Sequence, residues 1–368
     1  MRITEVELRR IRLPLVTPFT TGHGSQAVRD TLLVKVTTAD AQGWGECVAL
    51  SEPGYTSEYV EGAHHVMTSF LVPALLDQPR VTAEGVGPAL AWVKGHHMAK
   101  AAIEMAVLDA ELRARDEPLA QHLGGVRKVV DAGVAVGIAA SVGELLDEVD
   151  GYVEAGYRRV KLKIAPSWDL EPVRAVRERF PDTPLQVDAN AAYTLADAQH
   201  LARLDQFDLL LIEQPLPEHD LAGHAALAQR ISTPVCLDES ITSTSDAAEA
   251  IAQGACSVVN IKPGRVGGYL EARRIHDVCA DHGVAVWCGG MLETGIGRGA
   301  NLALAALPGF TLPGDLSASD RYFHRDVTEP FVLHDGRLRV PTGPGIGVVP
   351  LPDALDEVTV SIEHLHPQ

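Results

Sequence analysis

The 368-residue chain contains no apolar run near the roughly 18 residues that a membrane-spanning helix needs. Its first residues, Met1-Arg2-Ile3-Thr4-Glu5, alternate in polarity like a strand and lack the apolar core of a signal peptide. Cysteine is scarce. The five residues Cys47, Cys236, Cys256, Cys279 and Cys288 make an odd count, and no two form a Cys-x-x-Cys pair. That argues against a disulfide framework and reads as buried thiols in a reducing compartment, so a cytoplasmic protein is expected. Positive charge is also short: 31 Lys plus Arg stand against 49 Asp plus Glu, a formal charge of −18. Such a field repels nucleic acid and anionic membrane, and neither is expected as a partner. It does not exclude an acidic small molecule, because a local cationic pocket overrides the global field.

What is present suits a large folded chain, with 46% apolar and 22% charged residues. The length suits two domains, or a barrel with an accessory domain. Residues 1–125 read as clustered strands followed by clustered helices, an α+β pattern. Strands are expected at 6–11 and 31–38, a turn at Gly43-Trp44-Gly45-Glu46 leading into another strand, and helices at 59–76 and 97–115. From about residue 131, short apolar strands alternate with amphipathic helices. Eight strands are expected, at 133–138, 159–163, 185–188, 209–213, 235–238, 257–262, 284–288 and 310–314, with helices such as 170–180, 195–204 and 269–282 between them. Eight is the count of a closed parallel barrel, here spanning 126–322. The competing open doubly wound sheet often carries Gly-x-Gly-x-x-Gly after its first strand, and the stretch from Gly133-Val134-Ala135 onward has none. Residues 323–368 are expected to pack back on the first domain.

Chemistry gathers at the ends of the middle strands. Lys163, Asp188, Glu213 and Asp238 succeed one another at steps of 25 residues, and Lys262 comes after a further 24. One βα unit has about that length, so five charged residues occupy equivalent places on five successive strands, at the end where barrel active sites lie. Asp188, Glu213 and Asp238 converge on one wall. Three unpaired carboxylates repel, and a divalent cation that prefers oxygen removes the repulsion. With no Cys or His in the set, magnesium or manganese is favoured over zinc. Lys163 and Lys262 lie on strands four apart in a ring of eight, and so face each other across the mouth. One can take a proton from one face of a carbon while the other returns it to the opposite face. Lysine ordinarily titrates near about 10.4. Lys161, on the same strand face as Lys163, is expected to lower that pKa together with the metal and burial, and Arg265 is expected to do the same for Lys262. The implied chemistry is proton abstraction α to a carboxylate, with the metal stabilising the enediolate. Taken singly, Asp188 or Asp238 also reads as a helix cap, and Lys161 or Lys262 as a solvated strand end. The common phase of all five is what favours chemistry.

These residues resemble the enolase superfamily across essentially the whole chain. Lys161-Leu162-Lys163, the three carboxylates and Lys262 look like its muconate-lactonizing-enzyme subgroup, whereas the mandelate-racemase subgroup places a His at the end of strand seven, where Val286-Trp287-Cys288 has none. The runs 288–295 (Cys288-Gly289-Gly290-Met291 onward), 262–268 and Pro313-Gly314-Asp315 look closest to the N-succinylamino-acid racemase / o-succinylbenzoate synthase family. The resemblance implies a (β/α)7β modified TIM barrel under an α+β capping domain. It implies Mg2+, with Mn2+ or Co2+ able to substitute, held by Asp188, Glu213 and Asp238. It implies catalysis by Lys163 and Lys262 on a small carboxylate substrate. Substrate contacts are expected from Lys161, Asn190, Phe19, Leu50, Tyr55, Gly290, Met291 and Tyr322. The Gly-rich run Phe19-Thr20-Thr21-Gly22-His23-Gly24 matches the family's capping loop. In related dipeptide epimerases an Asp-x-Asp after strand eight holds the substrate ammonium; Asp315-Leu316-Ser317 lacks the second Asp, which favours an acylated, uncharged nitrogen. Barrels of this kind commonly form closed oligomers, and a homo-oligomer is expected. A muconate-type cycloisomerase, a dipeptide epimerase and a metal-binding barrel without catalysis stay open as alternatives. Racemase and synthase share every residue named, so the residues do not separate an amino-acid role from one in menaquinone synthesis.

Overall fold

The computed structural model describes residues 1–21 and 24–367. Of the expected capping loop, Gly22 and His23 lie outside the described residues. Strands β1 (Ile3–Thr21) and β2 (Gly24–Thr38) form a long antiparallel hairpin, and β3 (Gln42–Cys47) pairs with β2. Val6 and Leu8 are buried beneath the helical cover, a register shift between Arg10 and Ile11 moves the buried phase to Ile11 and Leu13, and Arg10 and Arg12 are left on the wet side, where they pair with Asp30. The last strand of the chain, β13 (Thr359–Leu365), adds to β1 antiparallel, so both chain ends meet in one sheet.

Gly43-Trp44-Gly45-Glu46 is not a turn but the body of β3. Its glycines serve packing. A Cβ on Gly45 would collide with the Ala102 carbonyl oxygen, because helix 97–114 (His97–Ala114) lies directly on the strand backbone. The expected helix 59–76 forms but carries a π turn at Met67–Leu71, where the Val72 N–H reaches back to Met67. Pro73 has no N–H to continue the α ladder, and its ring crowds the preceding turn. A helix at Ala83–Leu90, not expected from the sequence, contains Gly85, Gly87 and Pro88, all poor helix formers; the Thr82 side chain caps it.

The second region opens with β4 (Val129–Asp131), which pairs with β12 (Arg337–Arg339) outside the ring. The ring itself runs in chain order: β5 (Gly133–Val136), β6 (Arg159–Lys163), β7 (Leu185–Asp188), β8 (Ile212–Glu213), β9 (Val235–Leu237), β10 (Val258–Ile261) and β11 (Ala285–Cys288), each parallel to the next. The eighth strand expected at 310–314 is not continuous. Pro313 has no N–H for a ladder, and the segment closes the ring through single bridges, Phe310 to Val286 and Gly314 to Ala132. Two hydrogen bonds finish the seam, Gly133 N–H to the Gly314 carbonyl at 2.7 Å and Asp315 N–H to the Cys288 carbonyl at 2.9 Å. Of the expected helix 195–204, only Ala198–Leu201 is α-helical, between two 3-10 turns.

The cap grips the barrel with carboxylates. Glu104 accepts the N–H groups of Tyr269 (2.6 Å) and Leu270 at the start of helix Tyr269–Asp281, and Glu46 accepts those of Thr294 and Gly297 at the start of helix Gly295–Ala305. Helix starts carry unpaired N–H groups and a partial positive charge, which a buried carboxylate satisfies. The hairpin also hooks over the barrel, with Val16 N–H bonded to the Tyr322 carbonyl and Ile138 N–H to the Thr20 carbonyl.

These contacts lead to two expected outcomes. Replacing Gly45 by Ala forces backbone apart and is expected to cost about 1–3 kcal/mol or more, read as a lower denaturant midpoint. Burial pushes the Glu104 carboxyl up from 4.5 to about 8, against the pull of the Leu270 and Tyr269 N–H groups. The folded chain therefore keeps a proton that the unfolded chain releases near pH 4.5, so this group's contribution to stability falls as pH rises from about 4.5 to about 8. Glu104→Gln cannot ionise, and urea midpoints taken on either side of that window are expected to change less in the variant than in the parent chain.

Candidate active site

Several ring strands carry polar, inward-pointing residues at or just past their ends. Alternation along β6 sends Arg159, Lys161 and Lys163 to the ring interior, and the same rule sends in Asn260 and Lys262 at the end of β10. Leu211, Cys236, Val258 and Trp287 form a separate buried apolar cluster inside the ring. The Lys161 ammonium stands 4.9 Å from the centre of the Trp287 ring, so charge begins where the apolar floor ends.

Above that floor the carboxylates and cations interlock. Lys163 Nζ donates to Asp188 Oδ2 at 2.6 Å and to Asn190 Oδ1 at 2.7 Å. Lys161 Nζ lies 2.5 Å from Asp315 Oδ2, 3.0 Å from Glu213 Oε2 and 3.3 Å from Asp188 Oδ2. Lys262 Nζ donates to Asp238 Oδ2 at 2.7 Å and to the Tyr55 hydroxyl at 3.1 Å. Asn260 Nδ2 donates to Glu213 Oε1, and Asn190 Nδ2 to Glu239 Oε1. Asp188, Glu213 and Asp238 are all buried. Backbone strain collects here too. Asn190 (φ 42°), Ala191 (φ 61°), Gln214 (φ 38°) and Leu292 (φ 58°) take the left-handed conformation just past strands β7, β8 and β11.

Phe19, Leu50, Tyr55, Lys161, Lys163, Asn190, Lys262, Gly290, Met291 and Tyr322 line one cavity of about 410 Å3 between cap and barrel. The three strand-end carboxylates lie behind its lysines. Gln26, Ser51, Glu52, Ala135, Leu292 and Asp315 also line it and are not among the site residues expected from sequence. Sequence reasoning misses Arg159, Glu239 and Asn260 as well. Two of them carry a signal, since Arg159 and Asn260 sit two residues before Lys161 and Lys262 on the same strand faces.

Burial works against the charge of Lys262, and Tyr55, Glu213, Glu239 and Asp188 outweigh it, so its pKa stands above the ordinary lysine value. The expected downward pull of Arg265 on Lys262 is not what the side chains provide. The Arg265 guanidinium faces Asp238 and the carbonyls of Ile241 and Asn260, and it meets the Tyr55 hydroxyl at 3.3 Å. It shares Asp238 and the Tyr55 hydroxyl with Lys262. Lys161 is likewise raised, with Asp315, Glu213 and Asp188 overcoming burial. Asp188 is held below the ordinary carboxylate range, since Lys163 and Lys161 outweigh its own burial.

The donor set suits a hard divalent cation in kind, because all the candidate ligands are carboxylate oxygens on adjacent strand ends. The buried Glu239 Oε2 has no hydrogen-bond partner, which leaves one further oxygen available beside Asp238. Among the described residues no three acidic, His or Cys side chains stand close enough to share an ion as they lie, because the lysine ammoniums are interleaved with the carboxylates.

Known proteins share the chain's sequence and fold. Residues 3–124 match the family described as mandelate racemase / muconate lactonizing enzyme, N-terminal domain, and residues 144–354 match the one described as enolase C-terminal domain-like. The chain belongs to the enolase superfamily. An N-succinylamino acid racemase from an Amycolatopsis species is 63% identical over 98% of this chain and 98% of its own. An o-succinylbenzoate synthase from Geobacillus kaustophilus is 48% identical over 94% and 93%. A crystal structure of an enolase superfamily member from Listeria innocua superposes with a TM-score of 0.96 at 40% identity, covering 100% of both chains. This chain is thus an enolase-superfamily enzyme with the modified barrel and capping domain of that superfamily. No helix among the described residues is long and apolar enough to cross a membrane.

The Tyr55 hydroxyl ties the cap to the site. It donates to Asp238 Oδ1 at 3.0 Å and meets both Lys262 and Arg265. Hydrogen bonds to charged groups contribute about 1.5–3 kcal/mol. Tyr55→Phe is therefore expected to slow turnover by roughly ten- to a hundredfold and to lower the thermal unfolding midpoint as well, since Asp238, Lys262 and Arg265 each lose a buried partner.

Proposed function

We propose that the chain is a divalent-metal-dependent racemase of N-acylated amino acids, N-succinyl derivatives in particular, and that the same site carries an o-succinylbenzoate synthase activity. The observation that carries the reading is the placement of Lys163 and Lys262. They line one cavity from strand ends four apart in the ring, each hydrogen-bonded to a buried carboxylate. The relatives' names support the substrate class.

Asp188, Glu213 and Asp238 would hold the metal, which supplies positive charge to offset the substrate carboxylate and the charge that grows on it when the α-proton leaves. Lys161 offers its ammonium to the same carboxylate. With Lys163 as neutral amine and Lys262 as ammonium, Lys163 takes the α-proton from one face and Lys262 returns one to the opposite face, which inverts the centre. The lysines exchange roles for the other enantiomer, as 1,1-proton transfer requires. The Asn190 amide, fixed by Glu239 through its nitrogen, turns its oxygen to Lys163 and aims the amine. In the synthase reaction Lys163 takes the α-proton and passes it to the departing hydroxyl, so that water leaves as the carbon–carbon double bond forms, while Lys262 stays protonated to stabilise charge. Phe19, Leu50, Met291 and Tyr322 form the apolar wall for the acyl group and side chain.

The test is α-proton exchange of an N-succinyl amino acid in D2O, monitored by NMR and optical rotation. Exchange with loss of optical purity is expected with magnesium and is expected to stop with EDTA. Lys262→Ala is expected to abolish racemisation. Interconversion at the parent rate in that variant overturns the two-base scheme, and absence of exchange in the parent chain points instead to a muconate-type cycloisomerase.

A further inference from the structure

Arg159 is a guanidinium sealed inside a barrel, where an apolar side chain would ordinarily sit. It is 0% exposed. Nη1 meets Asp315 Oδ1 at 2.6 Å, Nη2 donates to the Pro313 carbonyl at 2.7 Å, and the group stands 5.1 Å from the centre of the Trp287 ring. The place is shaped for it, since a Cβ on Gly133 of the neighbouring strand would lie 2.5 Å from Arg159 Cζ. Its Nε is buried without a partner, a cost that a well-packed leucine or methionine avoids. Packing therefore does not account for the charge.

Asp315 does. It lines the cavity, and its two oxygens are divided: Oδ1 goes to Arg159 beneath and Oδ2 to Lys161 at 2.5 Å. A carboxylate alone in a cavity wall is a receptor for an ammonium group. Here two cations occupy it, and it is held well below the ordinary carboxylate range, with Lys161 and Arg159 overcoming burial. The second consequence concerns Lys161, which otherwise faces three carboxylates, Asp188, Glu213 and Asp315. Arg159 neutralises one of the three from the far side, so Lys161 keeps positive potential for an incoming anion.

We propose that Arg159 is a specificity-determining residue: by engaging Asp315 from beneath, it makes the cavity select substrates whose α-nitrogen is uncharged and whose carboxylate meets Lys161. The proposal rests on the substrate class of the proposed function. Arg159 does not touch substrate. It acts through Asp315 and Lys161, by removing an attraction for the wrong ligand as much as by supporting the right one.

The test is a ratio of affinities, measured by calorimetry in magnesium-containing buffer, between an N-succinyl amino acid and the same amino acid with its ammonium free. Arg159→Leu is expected to lower this preference for the acylated form by about tenfold or more, which corresponds to the loss of one charge pairing. Adding Asp315→Asn to Arg159→Leu is expected to recover most of the lost preference, an outcome that a purely structural role for Arg159 does not produce. Arg159→Gln serves in the same way if the leucine variant fails to fold. Asp315→Asn alone, with Arg159 kept, is expected to shift the ratio further towards the acylated form. A ratio that stays at the parent value in the folded Arg159 variants, or that Asp315→Asn does not recover, overturns the proposal. α-Proton exchange measured on the parent chain in the same samples reports separately on the proposed function. Binding without exchange sinks that function while the ratio still decides on Arg159, and a parent chain that binds neither ligand overturns both.

Discussion

The mouth of the barrel buries Arg159, Lys161, Lys163, Lys262 and Arg265 among Asp188, Glu213, Asp238, Glu239 and Asp315, five cations with five carboxylates. Removing an ion from water costs several kcal/mol, and only close pairing with the remaining lone pairs and protons satisfied offsets it. Closed parallel strands meet that demand because they place one inward side chain per strand at the same height, spaced by neighbouring chains rather than by flexible loops. The arrangement is stiff for the same reason, since any one charge moved from its partners is left buried and alone. The formal balance also has a functional sense. A site already near neutrality can take up a dication together with an anionic substrate and return to neutrality, so neither arrives against a strong local field.

The cap is part of this balance. Tyr55 comes from the first region, yet its hydroxyl sits between Asp238, Lys262 and Arg265. Glu46 and Glu104 fasten the same region to the starts of the two helices that come after the segments carrying Met291 and Lys262. The β1–β2 hairpin bonds to Tyr322 and Ile138 on the other side of the mouth. The cavity therefore has cap in its wall and barrel in its floor. Phe19 and Leu50 bring the cap's share of the apolar wall and Met291 and Tyr322 the barrel's, whereas the lysines of the floor are all barrel.

Much of this is legible in the sequence because the barrel converts chain period into position. The 25-residue steps locate Lys163, Asp188, Glu213 and Asp238, and the structure gathers them with Lys262. What stays hidden has a local cause in each case. The eighth strand reads as a regular one, but Pro313 leaves it with only isolated bridges, so the alternation that would point Asp315 inward is not readable. Gly43-Trp44-Gly45-Glu46 has the composition of a turn, and only the helix lying on it shows that its glycines are there for close approach. Arg265 sits three residues from Lys262 in sequence, but distance along a chain says nothing about which way a guanidinium turns, and it turns to Asp238. Arg159 lies inside a correctly read strand without standing out, because an arginine at a strand start reads as a solvated end until the ring closes over it.

One consequence of the layered interior concerns how a single site serves two reactions. Under the proposed function, racemisation and dehydration share their first step, removal of a proton next to a carboxylate, and differ in the second. The groups that govern the first step are all in the charged floor, and nothing there distinguishes a carbon about to be reprotonated from one about to expel a leaving group. The difference has to lie in whether Lys262 reaches the carbon as an acid or stands off as a fixed charge. In the direction where Lys163 is the base, Lys262 is the ammonium, hydrogen-bonded to Asp238 and the Tyr55 hydroxyl. That one state serves as proton donor in the first reaction and as electrostatic partner in the second, without any change in the floor. Selection between the two then falls to the apolar wall of Phe19, Leu50, Met291 and Tyr322, which sets how deep and at what angle the reacting carbon sits. Divergence of activity in such a chain needs changes in the cap and in the segment after β11, while the charged floor can remain as it is.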